Sequence, residues 1–516
     1  MKTTKRLIAA LLALLMTLSL AACGGGSSST AAPSGGADTN KKTDLVICMP
    51  EDVQSFDPVV NTAISSQATC QMIYTRLYMT NAEAQPELLF AKEMKVVDEN
   101  TIEFALHEGK FSDGSEITAD DVVYSLNRAL ASPNFSTLLK GVKTFEKVDD
   151  HTVRAITEGP VPYIQLALAH PGTGIIPKAY GEKAEANNDW NEPVCSGPYK
   201  VQSRKIGANT VIVKNENYWD NGGDTEAQNT SLTFSVVPEA SSRTIQVQTG
   251  EADVNFSFAT ADYNTVTADS NVKLYKHTGT TVQYLAMNTS IEPFNDENVR
   301  KAINYAIDRA AVVQIVEDGF GTVQYSNLPP TTLGYNENPA GITYDLAKAK
   351  EFMAKSNYPN GFTTKFLAFN DRGKRVCEAT QQYLADIGIT AEIETYDSNV
   401  RMEMSNNNQI PIMAAQWGAM SDGALVLPRL FTEEAIGGVN FAKYFDPELD
   451  ELFAIGRGTY DTTVRAKAYA DAVAHLCEHC VWCPLYIPDA FVLTRADLQG
   501  VVQDGESIIQ LFRLHY

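Results

Sequence analysis

The sequence predicts an α/β protein. Short apolar or alternating segments, typical of strands, are separated along the chain by longer segments with helical periodicity. No internal repeat and no low-complexity stretch interrupts this alternation after residue 43. A chain of 516 residues is long enough for two to four domains and for several apolar cores.

The first elements can be assigned in order from local signals. Leu45–Met49 is an apolar run that ends at Pro50 and predicts a buried strand. Ser65–Tyr78 is predicted as a helix, and Thr101–Leu106 alternates polar and apolar residues as a half-buried strand does. Thr118 is placed to cap the next helix, because a hydroxyl there can accept from the first turn.

Later elements follow from similar caps and stops. Glycine or a short polar side chain at a boundary satisfies backbone groups that the helix leaves free. The chain end is expected to dock as a strand, because an undocked terminus is poorly ordered. The predicted elements are a helix Ser241–Thr249 stopped by Gly250, a helix capped by Asn295 or Asp296, a helix capped by Asp345, a helix Val376–Ile387, a strand Ile389–Ile393 and a final strand Ser507–Leu514.

Composition excludes some partners. The formal net charge is −22, and Asp and Glu number 63 against 41 Lys and Arg. Phosphate binding needs clustered cations, so we expect no nucleic-acid partner. The excess of acidic residues also argues against adhesion to an anionic lipid surface by charge alone.

The amino terminus has the form of a secretory signal. Lys2, Lys5 and Arg6 precede the apolar run Leu7–Leu20. This run of about 14 residues is shorter than the about 20 that a transmembrane helix needs. The pattern therefore predicts a signal peptide.

The end of that signal resembles a bacterial lipobox. The residues are Leu-Ala-Ala followed by Cys23, which would be lipidated and become the new amino terminus. Residues 1–22 would then be a lipoprotein signal peptide. Residues 23–43, rich in Gly, Ser, Thr and Ala, would be a flexible tether between a membrane anchor and the folded chain.

No catalytic motif is present. The chain lacks His-Glu-x-x-His, Gly-x-Ser-x-Gly, a P-loop and a dinucleotide-binding glycine motif, so we expect no enzyme.

Seven cysteines remain beside Cys23, an odd number that leaves at least one outside any intrachain pair. One dense group could be buried free thiols, a disulfide or a weak metal site. It consists of His475, Cys477, His479, Cys480 and Cys483.

Several motifs occur in a fixed order that resembles one protein family. Taken alone, most are scaffold signals, such as the Asp113-Gly114 turn. Together they resemble the extracytoplasmic solute-binding proteins of family 5, the substrate-binding lipoproteins of peptide- and nickel-type ABC transporters. The motifs are Phe111–Gly114, Thr118–Val122, Ser196–Tyr199, Asn215–Trp219, Gly250–Val254, Asn288-Thr289, Pro293-Phe294, Val299–Ala302 and Ala306–Arg309.

The resemblance implies a two-lobed periplasmic-binding-protein-like fold of type II. Its large peptide-binding members carry an inserted third subdomain, and the ligand lies in the cleft between the lobes. Hinges are expected near Gln283–Asn288 and Leu485–Pro488. The implied partition is lobe I at 44–88, 194–283 and 489–516, an inserted subdomain of lobe I at 89–193, and lobe II at 284–488.

The resemblance also implies binding residues. Trp417 matches the tryptophan that opens the binding loop of the family, where peptide-binding members carry an Asp three residues later. That position is Met420 here, and Asp422 could substitute if the loop shifts. An Arg near 372 holds the ligand carboxylate in dipeptide-type members, which suits bidentate guanidinium geometry. The candidate ligand-binding residues are Trp417, Met420, Asp422, Arg372, Arg401, Ser196, Tyr199 and Asn288.

The implied function is capture of di- or oligopeptides by hinge closure and their delivery to a membrane permease driven by separate ATPase subunits. The protein would be a monomer without a cofactor, lipid-anchored on the outer face of the bacterial cell membrane or in the periplasm. A metal or metal-chelate receptor of the same family and a peptide sensor that transports nothing remain open. So does a metalloenzyme that uses the cluster at 475–483.

Overall fold

The computed structural model describes residues 42–418, 420–502 and 509–516. The expected signal peptide, Cys23 and the tether through residue 41 lie outside the described residues, as do Ser507 and Ile508 of the expected final strand. Within the described ranges, no helix combines the length and hydropathy needed to cross a membrane.

Strands occur along the whole described chain. They are β1 (Asp44–Met49), β2 (Tyr78–Thr80), β3 (Pro86–Leu88), β4 (Ala91–Asp98), β5 (Thr101–Leu106), β6 (Val142–Asp149), β7 (Thr152–Thr157), β8 (Tyr199–Lys205), β9 (Asn209–Lys214), β10 (Ser231–Val236), β11 (Val254–Asn255), β12 (Val272–Thr278), β13 (Thr281–Met287), β14 (Gly321–Val323), β15 (Phe362–Ala368), β16 (Ile389–Thr395), β17 (Ile412–Gly418) and β18 (Trp482–Arg495).

Helices alternate with these strands. They are α1 (Ile64–Ile73), α2 (Ala119–Ala131), α3 (Ile164–Ala169), α4 (Lys178–Asn187), α5 (Ala240–Thr249), α6 (Tyr263–Thr267), α7 (Glu297–Ala306), α8 (Arg309–Val316), α9 (Leu346–Lys355), α10 (Asp371–Ala385), α11 (Arg401–Asn406), α12 (Gly423–Phe431), α13 (Pro447–Arg457) and α14 (Thr462–Glu478).

A large mixed sheet organises the fold. In the described part of the chain it joins twelve strands, in the order β16-β15-β17-β13-β18-β11-β1-β10-β9-β8, with β12 and β14 also paired to β18. Its parallel pairs are β1 with β10 and β11, and β15 with β16 and β17. Parallel neighbours need crossover connections, which the helices supply. The mixed α/β architecture predicted from sequence is confirmed.

The strand β18 connects the two halves of this sheet. Its first residues pair with β13, and from Asp489 onward it pairs with β12. The change of partner faces the turn between β12 and β13, where the amide of Gly279 donates to the carbonyl of Pro488 at 3.2 Å. Both chain crossings between the halves therefore lie side by side.

A separate antiparallel sheet, β4-β5-β7-β6, is formed by residues 91–157, and α2 packs on it. Its apolar core is continuous with that of the large sheet. Phe104 and Leu126 belong to the same buried cluster as Phe431 and Trp482. Residues of the predicted inserted subdomain thus contact residues of the predicted lobe II.

Local signals in the sequence located several elements correctly. The strand Thr101–Leu106 has the predicted bounds. Thr118 caps α2 in a reciprocal capping box with Asp121. The helix α5 ends at Gly250, whose φ of +80° is the left-handed conformation that glycine adopts readily.

Other predicted bounds were wrong. The helix predicted over Ser65–Tyr78 ends at Ile73, because the backbone becomes extended at Tyr74 and Tyr78 begins a strand paired with β3. The helix predicted from Val376 begins at Asp371, because the Asn370 side chain caps it by accepting from the Gly373 amide.

The chain end was also predicted wrongly in its described part. Leu511–Arg513 forms a single turn of 3₁₀ helix rather than a strand. Leu511 and Leu514 are buried in the core around β1 and β10, and His515 forms an isolated antiparallel bridge with Gln499, so the end docks through side chains and single backbone contacts instead of through a strand ladder. The sequence left Asn295 and Asp296 as alternative caps for α7. In the structure Asp296 is the cap, and its side chain accepts from the Asn298 amide.

Candidate functional site

The side chain of Trp417 lies at the end of β17, where the strand leaves the sheet. Register places Trp417 opposite Val282 and Gly418 opposite Thr281, at the start of β13 next to the chain crossing. Trp417 is partly buried and packs against the core that the large sheet shares with the four-stranded sheet. Part of the Trp417 side chain is therefore held by packing, and part of it is accessible to solvent.

The loop that follows Trp417 is held by a neighbouring segment. The Thr332 hydroxyl donates to the carbonyl of Met420 at 3.0 Å, and the Leu333 amide donates to the carbonyl of Ser421 at 2.9 Å. The side chain of Met420 is partly buried against the same core as Trp417. Ala419 lies outside the described residues.

The carboxylate of Asp422 is engaged inside the protein. It caps α12 by accepting from the Ala424 amide at 2.9 Å, and it accepts from Nη2 of Arg465 at 2.5 Å. The side chains of Asp422 and Arg465 are only 6% and 5% exposed. Asp422 therefore acts as a helix cap and as half of a buried ion pair, whereas the sequence suggested an anchor for a ligand ammonium group.

A residue that the sequence analysis missed lies beside Trp417. The guanidinium carbon of Arg429, on α12, is 5.3 Å from the centre of the Trp417 ring. Arg429 is partly buried, and burial lowers the pKa of its guanidinium because the charged form loses hydration. One signal could have identified it, since it is a lone cation in the apolar run Leu425–Phe431.

Two cavities lie between residues of the predicted inserted subdomain and residues of lobe II. The first, of about 760 Å³, is next to Arg429, and the second, of about 520 Å³, is next to the Asp422–Arg465 pair. The first is lined by Thr137, Lys140 and Tyr163 on one side and by Ala424, Leu425, Pro428, Arg429, Thr432, Glu433, Glu434, Ala435, Gly438, Val439, Asp450 and Arg457 on the other. Its volume lies in the range of small-molecule sites.

The structure places Arg372 elsewhere. Its Nε lies 2.9 Å from a carboxylate oxygen of Glu317, which also accepts from the Tyr486 hydroxyl at 2.8 Å. Burial and the neighbouring Glu317 raise the pKa of Tyr486 well above its usual range. Tyr486 belongs to a different apolar core from that of Trp417, so Arg372 and Trp417 do not share one cluster.

Arg401 is the third cationic candidate. It begins the short helix α11, and its guanidinium carbon lies 5.2 Å from the centre of the Phe441 ring. No contact joins it to Trp417 or Arg372 among the described residues.

Three further candidates are buried in the scaffold. The Ser196 hydroxyl donates to the carbonyl of Ile175 at 2.6 Å and accepts from the Thr75 amide at 3.0 Å. Tyr199 is fully buried at the start of β8. Asn288 is 2% exposed, and its side-chain oxygen accepts from the hydroxyl and the amide of Ser290.

The His and Cys group at 475–483 is divided among different surroundings. His475 shares a hydrogen bond with the Tyr444 hydroxyl at 3.0 Å, and His479 lies 2.8 Å from a Glu297 carboxylate oxygen. Cys477 lies in the core around Trp482, whereas Cys480 and Cys483 lie in the core around Tyr486. Over the described ranges, no three His, Cys, Asp or Glu side chains are placed to hold a metal ion.

All seven cysteines in the described residues are buried and free. Of the two alternatives of free thiols and a disulfide, the structure therefore shows free thiols. Burial raises the pKa of the Cys477 and Cys195 thiols to about 12, so both are protonated at neutral pH.

Comparison with known proteins identifies the family. Residues 84–437 match the family described as bacterial extracellular solute-binding proteins, family 5 (middle region). The match covers more than half of the chain, and the chain belongs to this family. It is a solute-binding protein of the ABC-transporter type that works outside the cytoplasm, and its relatives are not enzymes.

Individual relatives extend over nearly the whole chain. Heme-binding protein A of Haemophilus influenzae is 30% identical over 505 residues, covering 90% of this chain and 91% of the relative. The glutathione-binding protein GsiB of Escherichia coli O157:H7 is 28% identical over 472 residues, covering 89% and 91%.

A solved structure shows the fold directly. The periplasmic binding protein DppA of Helicobacter pylori, in complex with the peptide STSA, matches with a TM-score of 0.77 and 25% identity, covering 92% of this chain and 98% of that chain. The two-lobed binding-protein fold predicted from the motifs is confirmed.

Proposed function

We propose that this protein is the substrate-binding lipoprotein of an ABC importer and that it captures di- or oligopeptides beside Trp417. The observation that carries the proposal is the cavity of about 760 Å³ that is lined from both sides and by Arg429, whose guanidinium lies over the Trp417 ring. Peptide binding is also supported by the relatives, since DppA is bound to a peptide and glutathione is itself a tripeptide.

Capture would proceed by hinge closure. The adjacent crossings about which the halves could rotate are residues 278–281, which precede the hinge expected at Gln283–Asn288, and residues 486–489, which overlap the hinge expected at Leu485–Pro488. Contacts between residues of the inserted subdomain and lobe II, such as the Val161 amide donating to the Tyr460 hydroxyl at 3.3 Å, would exist only in a closed form. A ligand touching both sides favours that form, because only there does it make all its contacts.

We assign ligand contact to Trp417 and Met420, and a supporting role beneath the cleft to Ser196, Tyr199, Asn288 and Asp422. Arg372, whose side chain is 40% exposed, and Arg401 are kept as candidate ligand contacts, although neither lines the cavity of about 760 Å³. The domain partition inferred from the motifs is retained. Lobe I is 44–88, 194–283 and 489–516, the inserted subdomain is 89–193, and lobe II is 284–488.

The first test is native mass spectrometry of the full chain, released from bacterial membranes with mild detergent and never refolded. A ladder of peptide masses that leaves on denaturation is the expected result. Trp417→Ala should then weaken binding of a peptide from that ladder on the order of tenfold or more, as loss of a buried aromatic contact does. Trp190→Ala is the matched control, because Trp190 also stacks on an arginine, Arg128, at 4.6 Å.

Lipid anchoring at Cys23 is tested separately. The full chain should carry diacylglycerol and fractionate with membranes, and Cys23→Ser should appear in the soluble fraction without lipid. A Cys23→Ser protein that remains fully membrane-bound would refute the anchor and leave the peptide proposal intact.

A metal chelate is the second candidate ligand. It is supported by the 30% identity to a protein named for heme binding, over 90% of this chain. The same native mass spectra decide between the two. One porphyrin mass with a Soret absorption band, in place of the peptide ladder, would select the chelate.

A further inference from the structure

We infer that Arg429 binds a carboxylate of the ligand, so that the preferred peptides are acidic. This inference rests on the proposed function, because it names the chemistry that the same cleft selects. Three features carry it: the surroundings of Arg429, the engagement of the nearby carboxylates and the geometry of the Trp417 stack.

Arg429 is a partly buried cation without a counter-charge in the described part of the chain. It stacks on Trp417 but forms no ion pair there. Taking a guanidinium out of water without a partner is unfavourable, and proteins normally pair or expose such a group. A partner that arrives with the ligand would resolve this imbalance.

The charged groups around the same cavity are differently placed. Lys140 is paired with Glu434 at 3.2 Å, and both side chains are mostly exposed, at 64% and 82%. Glu433 and Asp450 are exposed as well. Solvent screens such groups strongly. Arg457 is the other partly buried cation of the lining, so the partly buried charges around this cavity are both positive.

In the described part of the loop after Trp417, the one carboxylate, that of Asp422, is not free to bind a ligand cation. Asp422 is held by Arg465 at 2.5 Å and by the amide of Ala424. Met420, in the same loop, carries no charge. The charge that this end of the cavity can offer a ligand is therefore positive.

The stacking geometry suits a carboxylate. The Arg429 guanidinium carbon lies 5.3 Å from the centre of the Trp417 ring, a cation–π contact that uses none of the N–H donors, so two of them can donate parallel hydrogen bonds to a ligand. Carboxylates accept this bidentate pattern well, and a neutral amide of the same shape accepts it poorly. A glutamate or aspartate side chain and a terminal carboxylate share this chemistry, and the inference assigns the side-chain carboxylate to Arg429.

The test uses three pairs of tripeptides of alanine in which one residue, at the first, second or third position, is Glu in one member and Gln in the other. Isothermal titration calorimetry on the full-length wild type measures all six. We expect at least one Glu peptide to bind on the order of tenfold or more tightly than its Gln twin. Terminal carboxylates are common to both twins and cancel in the comparison.

Arg429→Gln should abolish this preference by weakening the Glu peptide while the Gln twin stays within about threefold. Arg429→Lys should retain part of it, because a lysine keeps the charge without the bidentate edge. Arg513→Gln is the matched control, since Arg513 stacks on Phe512 at 5.2 Å in another part of the fold. It should keep the wild-type preference.

Each result decides the matter. Equal binding of all twins by the wild type overturns the inference and leaves the peptide proposal standing. A Glu preference that survives in Arg429→Gln overturns the role of Arg429. Binding of none of the six, together with native spectra free of peptide, overturns both. The wild-type comparison keeps the inference testable even if Arg429→Gln does not fold.

Discussion

The buried ion pair between Asp422 and Arg465 gives the sharpest test of the site's construction. Asp422→Asn removes the negative charge but keeps a side chain that caps helices about as well as Asp. The Ala424 amide would therefore keep its acceptor, while Arg465 would lose its counter-ion. The substitution isolates the charge interaction from the cap.

The magnitude follows from burial. Both side chains are about 5% exposed, so water would not replace the lost partner of Arg465. Removing one member of such a pair costs about 3–5 kcal/mol. For a chain of this length, unfolding entropy is roughly 1 kcal/mol per kelvin, so the Tm should fall by about 3–5 °C if the protein unfolds in one step.

The assay is thermal melting followed by circular dichroism, with Asp461→Asn as the control. Asp461 caps α14 by accepting from the amides of Thr463 and Val464, is exposed, and forms no ion pair in the described residues. Its substitution should change the Tm by less than about 1 °C. In a double-mutant cycle, Asp422→Asn with Arg465→Met should cost less than the sum of the single changes.

A contrary result would be informative. If Asp422→Asn melts like Asp461→Asn but binds peptide much more weakly, Asp422 is a ligand contact and not half of a structural pair. That outcome would refute the reasoning from burial.

Three other perturbations test the structure more widely. Gly197→Ala should prevent cooperative folding, because an added Cβ would lie 2.5 Å from the carbonyl oxygen of Met72, a backbone atom with no freedom to yield; a normal melting curve would contradict this. Burial lowers the pKa of His170 to about 4, so below about pH 6.5 the unfolded chain takes up a proton that the folded chain does not; this difference should reduce stability by about 3 kcal/mol between pH 6.5 and 4, and His170→Gln should flatten this part of the Tm–pH curve relative to wild type. A thiol reagent should label almost none of the buried cysteines in the native protein within minutes and all seven beyond Cys23 in denaturant, whereas five labels would indicate a disulfide.

Elements set by neighbouring residues were predictable from sequence. The capping box of Thr118 and Asp121 spans three residues, and the alternation in Thr101–Leu106 needs no information from elsewhere. Helix ends that depend on tertiary contacts were not predictable from the sequence. The turn at Tyr74 depends on strand pairing further along the chain, and the predicted helix consequently ran too far.

The candidate site likewise contains one residue whose position the sequence predicted and two whose contacts it could not predict. The position of Trp417 followed from the strand before it and from the family motif. The engagement of Asp422 depends on Arg465, 43 residues away, which no local pattern reveals. Arg429 went unnoticed for a related reason, because its importance comes from its contact with the Trp417 ring and from its place in a cavity lined by distant parts of the chain.

The strand β18 also sets how the two halves of the molecule tolerate insertions and deletions. Side chains alternate along a strand with a period of two, so one extra residue turns every following side chain to the opposite face. An insertion at Pro488 or Asp489 would leave Trp482–Ile487 in place but exchange the two buried faces of the residues that follow, turning Val492 out of the core around β1 and β10 and toward the separate core that holds Leu493. Although residues 488–490 are partly accessible to solvent, they should be among the least permissive places in the chain for a reporter fusion, because they keep both halves in phase.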